Sequence, residues 1–360
     1  MKRKILFLGE VYRADAQTWM RGLETYGDFE FVTWELGQGG YSFKDRTKRI
    51  FEYLFCLPKI RRIVREERPD MVIAERTTSY GFLAALSQVK PCVIAQQGRT
   101  DLWPENSILH PLKKAIQSYA FKKADLIHAW GTVMTHSMKA AGVDMNKVLV
   151  LPKGIDTDRF YFTRFPDSEA KLKCIVTRSL LPEYRHDLVL KAFGIVKQRN
   201  VDFQLTIIGD GAQKEQLETL ARELNISEEV VFTGRIPNTA LPKLLSEHPI
   251  YVSMPETEGV SASLFEAMAA GCFPVVSDIL GNQSFIANLV NGLLVSASPQ
   301  KLADSLLWIG ENRDKIVEAT QKNREFVVQN ANYHVNMKII AARYHKLIDQ
   351  KQHVWNNRNI

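Results

Sequence analysis

The chain has 360 residues, of which 45% are hydrophobic and 24% charged, and a formal net charge of +7. These proportions are ordinary for a soluble globular protein, and no segment reaches the roughly 18–20 uninterrupted apolar residues that a membrane-spanning helix needs. Because single hydrophobic cores stop growing beyond about 250–300 residues, this length favours two domains.

The beginning of the chain and its cysteines bear on the cellular compartment. Basic residues at Lys2–Lys4 precede only a short apolar run, which predicts a first β-strand rather than a signal peptide. The cysteines lack the paired spacing of a zinc or redox site; they are Cys56, Cys92, Cys174 and Cys272. We therefore expect a cytoplasmic protein with reduced cysteines.

Short apolar runs alternate with helical patterns along the first part of the chain. The helix-like stretches include Tyr80–Leu86 and Pro111–Ala124. The apolar runs predict six strands. They are Ile5–Leu8, Phe29–Trp34, Met71–Ala74, Cys92–Ala95, Leu126–Ala129 and Val148–Leu151.

A second series of the same kind follows a junction near Lys153–Pro166. Its helix-like stretches include Asp187–Lys197, Ala212–Leu224 and Pro299–Glu311. Its six predicted strands are Lys173–Thr177, Gln204–Ile208, Val230–Phe232, Ile250–Ser253, Pro274–Ser277 and Leu293–Val295.

Strands that alternate with helices form right-handed βαβ units around a parallel sheet. We therefore predict an α/β protein with two doubly wound, Rossmann-like domains, residues 1–152 and 153–332, facing a cleft. The remaining segment, residues 333–360, is expected to form one long helix over Tyr333–Asp349 and then a frayed polar end. Ligands of such sheets bind beyond the carboxyl ends of the strands.

The positive charge is concentrated in Lys44–Arg68, where nine basic and four acidic residues are interleaved with aromatic ones. Such a stretch can lie on an anionic membrane surface. It can equally form an amphipathic helix whose apolar face belongs to the core, and the sequence leaves both possibilities open. Nucleic acid is not expected as a partner, because no recognised nucleic-acid module accompanies the charge.

The stretch Pro255–Asp278 places Glu258 and Glu266 eight residues apart around a Gly-Val-Ser-Ala-Ser turn. It predicts a strand end, a turn and a helix over Ser261–Ala270, so that Glu258 follows the carboxyl end of a strand. The backbone N–H groups of residues 260–262 would then form a phosphate site at the helix N-terminus.

Two carboxylates and a set of amides suit a nucleotide sugar: one carboxylate for the sugar, the amides for the diphosphate and the other carboxylate for the ribose. The spacing alone also fits a capping acid and a surface acid on an ordinary helix.

The residues around the two glutamates resemble the E-x7-E signature of glycosyltransferase family 4 (group 1), retaining enzymes of the GT-B fold. Further matches follow in the family's order over most of the chain. Pro152–Asp156 resembles the linker between domains, Arg178–Tyr184 the donor loop, Ile207–Gly211 the I-x-G-x-G turn, and the strand ending at Gly234 the V-x-F-x-G motif.

The resemblance implies an acceptor-binding first domain, a nucleotide-sugar-binding second domain and a C-terminal helix that packs back on the first. The implied catalytic residues are Glu258, beside the donor sugar, and Arg178, which grips the diphosphate. The implied donor-binding residues are Arg185, Gly209, Gly234, Gly259, Val260, Ser261, Ala262 and Glu266, the last on the ribose. The implied acceptor-side residues are Gly9, Arg13, Gln97, Gly98, Arg99 and Asp101.

The chain departs from the family at four places, the first of which is Gly9–Tyr12, where many members have a glycine-rich loop. Gln97 stands where many members have the His of a His-Gly pair, and Ser284 stands where many have Glu. The family's Lys after the donor-loop Arg is missing, so Arg185 either supplies a second positive charge or is a solvated surface residue. Asp156-Thr157-Asp158 has the metal-binding Asp-x-Asp pattern but lies in the linker, and the family needs no metal, so no metal or other cofactor is expected.

The resemblance implies a metal-independent, retaining glycosyltransferase of hexosyltransferase type, with UDP-sugars favoured over GDP-sugars. The acceptor would be a glycan or lipid-linked saccharide, in cell-surface polysaccharide or glycoconjugate biosynthesis, and the enzyme would be cytoplasmic or peripheral at the inner face of the membrane. The alternative, favoured only by the altered His-Gly position, is a nucleotide-sugar epimerase or a degenerate nucleotide-sugar-binding module.

Overall fold

The computed structural model describes residues 2–37, 51–96, 107–166 and 171–356. The chain divides into two compact units. Unit 1 consists of the chain up to Lys153 and the chain from His334 onwards, and unit 2 consists of Gly154–Tyr333.

Unit 1 is built on a six-stranded parallel sheet in the order β2-β1-β3-β4-β5-β6. The strands are β1 Arg3–Leu8, β2 Phe29–Trp34, β3 Met71–Glu75, β4 Cys92–Gln96, β5 Leu126–Ala129 and β6 Val148–Val150. The helices are α1 Ala14–Gly27, α2 Leu57–Glu67, α3 Phe82–Ser87, α4 His110–Lys123 and α5 Thr135–Ala140. One turn of π-helix, Arg76–Gly81, connects β3 to α3.

Unit 2 is built on a second six-stranded parallel sheet in the order β12-β11-β10-β7-β8-β9. The strands are β7 Leu172–Thr177, β8 Phe203–Ile208, β9 Val230–Gly234, β10 Ile250–Ser253, β11 Phe273–Ser277 and β12 Leu293–Val295. The helices are α6 His186–Gln198, α7 Lys214–Glu223, α8 Leu241–Ser246, α9 Ala262–Ala270, α10 Leu280–Gln283, α11 Pro299–Glu311 and α12 Arg313–Asn330.

The central strands of both sheets are almost entirely apolar, because helices cover both faces of each sheet and most side chains along these strands are buried. In unit 2 one apolar cluster lies against α6 and α11 and another against α9. The sheet therefore fixes the strand ends firmly, and residues that follow those ends inherit defined positions.

The last helix, α13 Tyr333–Asn356, returns to unit 1. Arg3 at the start of β1 donates from Nη1 to the carbonyl oxygen of His345 at 3.1 Å. His128 on β5 is fully buried; its Nε2 lies 2.8 Å from the carbonyl oxygen of Leu151 and its Nδ1 3.0 Å from the Tyr344 hydroxyl. These contacts anchor α13 to two strands of the sheet.

The predicted doubly wound parallel architecture is confirmed, and each of the twelve predicted strands is present with bounds that differ by at most two residues. Two helical details were wrong. The helix from Tyr333 continues to Asn356 rather than ending at Asp349, since the polar residues beyond that point remain compatible with a helix. The stretch Tyr80–Leu86 is helical but begins as a π-turn at Arg76.

The residues 38–50, which include the start of the basic stretch, lie outside the described residues. Within the described ranges, no helix combines the length with the apolar character that crossing a membrane would demand.

The buried His128 predicts a pH dependence of stability. Burial lowers the pKa of His128 from 6.5 to about 4, against the smaller opposing effect of the Leu151 carbonyl. Between these two pH values the unfolded chain binds a proton that the folded chain does not, so the free energy of unfolding falls as the pH is lowered through that window. The limiting loss is roughly 3 kcal/mol.

Urea unfolding at a series of pH values measures this loss, and His128→Gln serves as the comparison because glutamine does not titrate. In the variant, the free energy of unfolding should depend less steeply on pH, whatever the absolute stability of the variant. The slope that remains includes His186, whose pKa is also lowered by burial. Equal slopes in the two proteins would show that His128 does not control the dependence.

Candidate functional site

The candidate site lies at the point where the strand order of the unit 2 sheet reverses. Chain connections run outwards from β7 through β8 to β9 on one side and through β10 to β12 on the other. The loops that leave neighbouring β7 and β10 therefore go to opposite faces and open a crevice at their carboxyl ends, which is where ligands of doubly wound sheets bind. Arg178 follows β7, and Glu258 lies in the loop after β10.

These two residues form an ion pair across that crevice. Arg178 Nη2 lies 2.5 Å from Glu258 Oε2 and 2.5 Å from the Ser261 hydroxyl, and Arg178 Nε lies 3.4 Å from the hydroxyl of Ser253. The side chains of the pair are only 14% and 17% exposed. Within the described residues, the hydrogen bonds of standard geometry from this guanidinium come from Nε and Nη2, and together they fix its position.

Two tyrosines surround the guanidinium. The Tyr184 ring lies 5.3 Å from Arg178 Cζ, within range of a cation–π interaction. Tyr251 on β10 is fully buried, and within the described ranges its hydroxyl has no hydrogen bond of standard geometry. Burial alone would lower the pKa of Arg178, but Tyr251, Glu258 and Tyr184 together raise it above its usual range. The arginine thus remains a fixed positive charge despite its burial.

The N-terminus of α9 lies directly beside the pair. Ser261 is its N-cap, and the Ser261 hydroxyl accepts from the Leu264 N–H at 3.1 Å while also accepting from Arg178. Gly259 N donates to Glu258 Oε1 at 3.3 Å. The sequence predicted Ser261 as a backbone donor only, whereas the structure uses its side chain to connect the helix start to the arginine.

Glu266 occupies the one face of α9 that is not fully buried. It is half-buried and lies one helical turn after Ala262 and Ser263, so these three residues share a face. The Ser263 hydroxyl lies 3.5 Å from the Thr177 carbonyl at the end of β7. Glu266 is therefore on the side of α9 that faces the same strand end, about one turn further from the helix N-terminus than the ion pair.

Glycines allow the loop after β8 to approach Arg178. Gly209 has φ +144°, and a Cβ there would lie 2.1 Å from the Arg178 carbonyl oxygen; a Cβ at Gly211 would lie 2.3 Å from that of Leu180. Gly209 N also donates to the carbonyl oxygen of Gly234 at 3.0 Å. The predicted glycines Gly209 and Gly234 thus shape the backbone around Arg178. A side chain at position 209 would displace the Arg178 backbone.

Arg185 has an unusual backbone for a large residue. Its φ is +54°, in the left-handed region, and it precedes α6 as the N-cap. Its side chain has no hydrogen bond or ion pair in the part of the chain that the structure describes. Such a backbone costs on the order of 1–3 kcal/mol, so the surrounding structure must hold it in place. Because its side chain has no such partner within the described chain, Arg185 remains a candidate for the second positive charge of the site.

Unit 1 has an analogous arrangement at its own strand reversal, between β1 and β3. Arg76, which follows β3, contacts both carboxylate oxygens of Glu10 at 3.1 and 2.6 Å, and Arg13 reaches the same carboxylate at 3.4 Å. A Cβ at Gly9 would lie 2.7 Å from the buried Glu75 carboxylate. Arg76 has φ +61°, again unusual for a large residue.

Gly9 and Arg13 of the predicted acceptor side therefore belong to one polar cluster at a strand reversal, together with Glu10, Glu75 and Arg76. The other four predicted acceptor-side residues lie outside the described residues: Gln97, Gly98, Arg99 and Asp101.

Asp156 and Ser284 have local hydrogen bonds. The Asp156 carboxylate accepts from the Asp158 N–H at 3.3 Å and caps the short 3₁₀-helix Thr157–Arg159. The Ser284 hydroxyl donates to the Leu280 carbonyl at 3.0 Å. The capping turn gives Asp156 a structural role, and the expectation that the Asp-x-Asp pattern binds no metal stays a prediction.

Sequence reasoning missed several groups that shape the two sites. Tyr251 lies within the predicted strand Ile250–Ser253 and was given no site role, and only the pairing of β10 with β7 brings it near Arg178. Glu10, Glu75 and Arg76 directly follow predicted strands. The rule that polar residues after strand ends are site candidates would have found all three.

Residues 160–326 match the family described as glycosyl transferases group 1, and residues 33–159 match the one described as glycosyltransferase family 4. The chain is 25% identical over 234 residues to the amylovoran biosynthesis glycosyltransferase AmsK of Erwinia amylovora, covering 63% of this chain and 58% of AmsK. It is 22% identical over 268 residues to the 2-deoxystreptamine glucosyltransferase of Streptomyces kanamyceticus, covering 68% and 66%. The chain thus covers less than two thirds of the length of each of these two curated relatives.

Among solved structures, HepE of Anabaena in complex with UDP has a TM-score of 0.75 and 16% sequence identity, covering 96% of this chain and 100% of that chain. At this identity the likeness concerns the fold. It confirms the GT-B fold that the sequence predicted.

Replacement of Gly209 by alanine should destabilise unit 2. The Cβ would clash with the Arg178 carbonyl oxygen, and the backbone would be strained at φ +144°. We expect the free energy of unfolding to fall by roughly 2–4 kcal/mol, measured by urea denaturation. The control is Gly310→Ala within helix α11, where no atom lies within 4 Å of the new Cβ. That change should stabilise by about 0.5–1 kcal/mol, and a similar effect in both variants would contradict the proposed close approach.

Proposed function

The chain belongs to the glycosyltransferases of group 1, and on that premise we propose that it transfers a sugar from a nucleotide-diphosphate sugar to an acceptor hydroxyl with retention of configuration. The observation that carries the proposal is the cluster of Arg178, Glu258 and Ser261 at the strand reversal of unit 2. A fixed cation, a carboxylate and a helix N-terminus there would contact the diphosphate and the sugar of one ligand.

The diphosphate would be bound by Arg178 and by the amides at the start of α9. Charge accumulates on the leaving diphosphate as the glycosidic bond breaks, so donors that are already in position stabilise the transition state more than the ground state. Glu258 and Ser261 hold Nη2, and the guanidinium lies over the Tyr184 ring, so that the arginine is held in place to donate to a phosphate oxygen. We propose that these groups, with Arg185, take the role that a metal has elsewhere.

The two glutamates would bind the ends of the donor. Glu258 would lie beside the sugar, where a carboxylate accepts hydrogen bonds from hydroxyls and stabilises developing positive charge near the reacting carbon. Glu266, one turn further along α9, would accept from the ribose hydroxyls. Because no covalent nucleophile is assigned, we propose a front-face displacement in which the leaving diphosphate takes the proton of the acceptor hydroxyl.

The donor and pathway are proposed from the relatives. The HepE structure contains UDP, which supports a UDP-sugar ahead of a GDP-sugar. AmsK is a glycosyltransferase of amylovoran biosynthesis, which supports a glycan or lipid-linked saccharide acceptor in cell-surface polysaccharide or glycoconjugate synthesis. The four cysteines are free and buried, as suits a reducing compartment, so we propose that the enzyme acts at the cytoplasmic face of the membrane.

Unit 1 would supply the acceptor-binding residues. Its polar cluster of Gly9, Glu10, Arg13 and Arg76 offers carboxylate and guanidinium groups for saccharide hydroxyls. The predicted acceptor-side residues also include Gln97, Gly98, Arg99 and Asp101. That Gln97 takes the place of the family His likewise remains a prediction.

Incubation of the purified full chain with a panel of nucleotide sugars tests the proposal. Release of nucleoside diphosphate that depends on an added acceptor, with a glycosylated product of α or β configuration matching the donor, is expected. Conversion of the donor sugar without an acceptor would favour an epimerase. Donor binding without any turnover would favour a binding module.

Glu258→Gln should lower kcat on the order of 10²-fold or more while the fold stays intact. The glutamine carbonyl can still accept from Arg178, so the neighbouring helix start is preserved, but the negative charge beside the sugar is lost. The measurement is acceptor-dependent diphosphate release, with thermal unfolding as the check on folding. Glu256→Gln, an exposed acid two residues away, is the matched control; equal losses in both variants would remove Glu258 from the site.

Arg178→Ala should raise the donor KM and lower kcat, because both the ground-state grip and the transition-state charge stabilisation are lost. Arg185→Ala should act in the same direction more weakly if its side chain reaches the diphosphate. Donor titrations of both variants, beside the exposed Arg199→Ala as control, measure the difference. If the Arg185→Ala variant has the same kinetics as the control, Arg185 is a solvated surface residue that does not contact the donor.

A further inference from the structure

Three large apolar side chains of unit 1 are exposed together on one short helical segment. Residues 51–55 are helical, and Phe51, Leu54 and Phe55 are 63%, 63% and 72% exposed. The rings of Phe51 and Phe55 stack nearly parallel with centroids 6.4 Å apart. Contiguous exposed apolar side chains of this kind mark interaction surfaces rather than ordinary surface residues.

The inward side of the same segment is firmly attached to the unit. The Tyr53 hydroxyl donates to the carbonyl oxygen of Ser79 at 3.2 Å, and Cys56 is buried. Ile60 in α2 is fully buried. The amphipathic-helix interpretation of this stretch is therefore correct for its inner face, but it leaves the outer face unexplained.

The outer face continues from the apolar segment into α2. Cys56 has right-handed helical backbone angles, and α2 begins at Leu57, so the helical register passes through the break. Positions 51, 55 and 62 then lie in one row and positions 54, 61 and 65 in the next, at the spacings that share a helix face. Both rows run from apolar residues to arginines over about 16 Å.

The far end of these rows is basic. Lys59, Arg61, Arg62, Arg65 and Arg68 are all exposed. Of these five, only Arg62 has an ionic partner among the described residues, Glu66 at 3.8 Å, while Glu67 pairs with Lys4. A surface with aromatic side chains at one end and exposed cations at the other complements an anionic lipid bilayer, in which rings enter the head-group boundary and arginines stay at the phosphates.

We propose that this outer face, formed by Phe51, Leu54, Phe55, Arg61, Arg62 and Arg65 and called here the docking face, binds the protein to anionic membranes. The proposal deepens the proposed function, because it places the enzyme at the surface where a lipid-linked acceptor resides. A second copy of the chain is a poorer occupant, since pairing two such faces would bring arginines of like charge together.

Co-sedimentation of the full chain with vesicles tests the docking face. Vesicles of phosphatidylglycerol and phosphatidylcholine in equal parts are compared with vesicles of phosphatidylcholine alone, at low and high salt. Binding should require the anionic lipid and weaken steeply with salt. Replacement of Arg61, Arg62 and Arg65 by Gln should lower the partition coefficient about fivefold per residue, and Phe51→Ser with Phe55→Ser should lower it roughly tenfold or more.

Matched controls come from unit 2. Arg199→Gln, Arg222→Gln and Lys243→Gln remove three exposed cations, and Tyr161→Ser removes an exposed ring; these variants should bind as the wild type does. Equal binding to neutral and anionic vesicles, or docking-face variants that bind like the controls, would overturn the proposal. A change of oligomeric mass in the Phe51 and Phe55 variants without lipid would assign the face to a second copy instead.

Nucleotide binding measured without lipid separates this proposal from the proposed function. Docking-face variants should bind UDP like the wild type, because the face lies in unit 1 and the diphosphate site in unit 2. Loss of vesicle binding with normal UDP binding supports the docking face alone. A wild-type protein that binds vesicles but no nucleotide sugar would refute the proposed function and leave the docking face standing.

Discussion

The ion pair between Arg178 and Glu258 is the interaction on which the rest of the unit 2 site depends. It joins the loops after β7 and β10, which the sheet topology sends to opposite faces. Without it a crevice at that point would have two independent walls. A buried pair is a weak source of net stability, since desolvation of both charges offsets much of their attraction. Its value here is positional: it fixes a cation beside the start of α9.

The same topology places a second arginine–glutamate pair at the strand reversal of unit 1. There Arg76 holds both oxygens of Glu10, and its backbone lies in the left-handed region. In each unit the arginine follows one central strand and the carboxylate belongs to the loop after its neighbour. Two doubly wound sheets with unrelated loop sequences thus use the same solution, because the reversal is where a loop can approach from either side.

The fold could be predicted almost completely from the sequence, and the site only in part. Buried parallel strands are continuous apolar runs, so their positions are visible without knowledge of their neighbours. Glu258 and Arg178 were identified because motifs surround them. Tyr251 was not, since a tyrosine within an apolar strand has the pattern of a core residue, and only the pairing of β10 with β7 brings it near Arg178. The exposure of Phe51 and Phe55 was equally invisible, because a helical spacing does not say which face is inside.

Residues without chemistry of their own determine how rigidly the site is held. Helix α9 is buried along Ala267–Ala270, and a Cβ at Gly271, which follows it, would lie 2.2 Å from the Thr163 carbonyl oxygen. Arg324 of α12 donates to the carbonyl of Ala269 at 2.8 Å. Small residues permit these close backbone contacts, and the contacts clamp the carboxyl end of the helix. With that end fixed, the helix N-terminus and Glu266 keep defined positions beside the carboxyl end of β7.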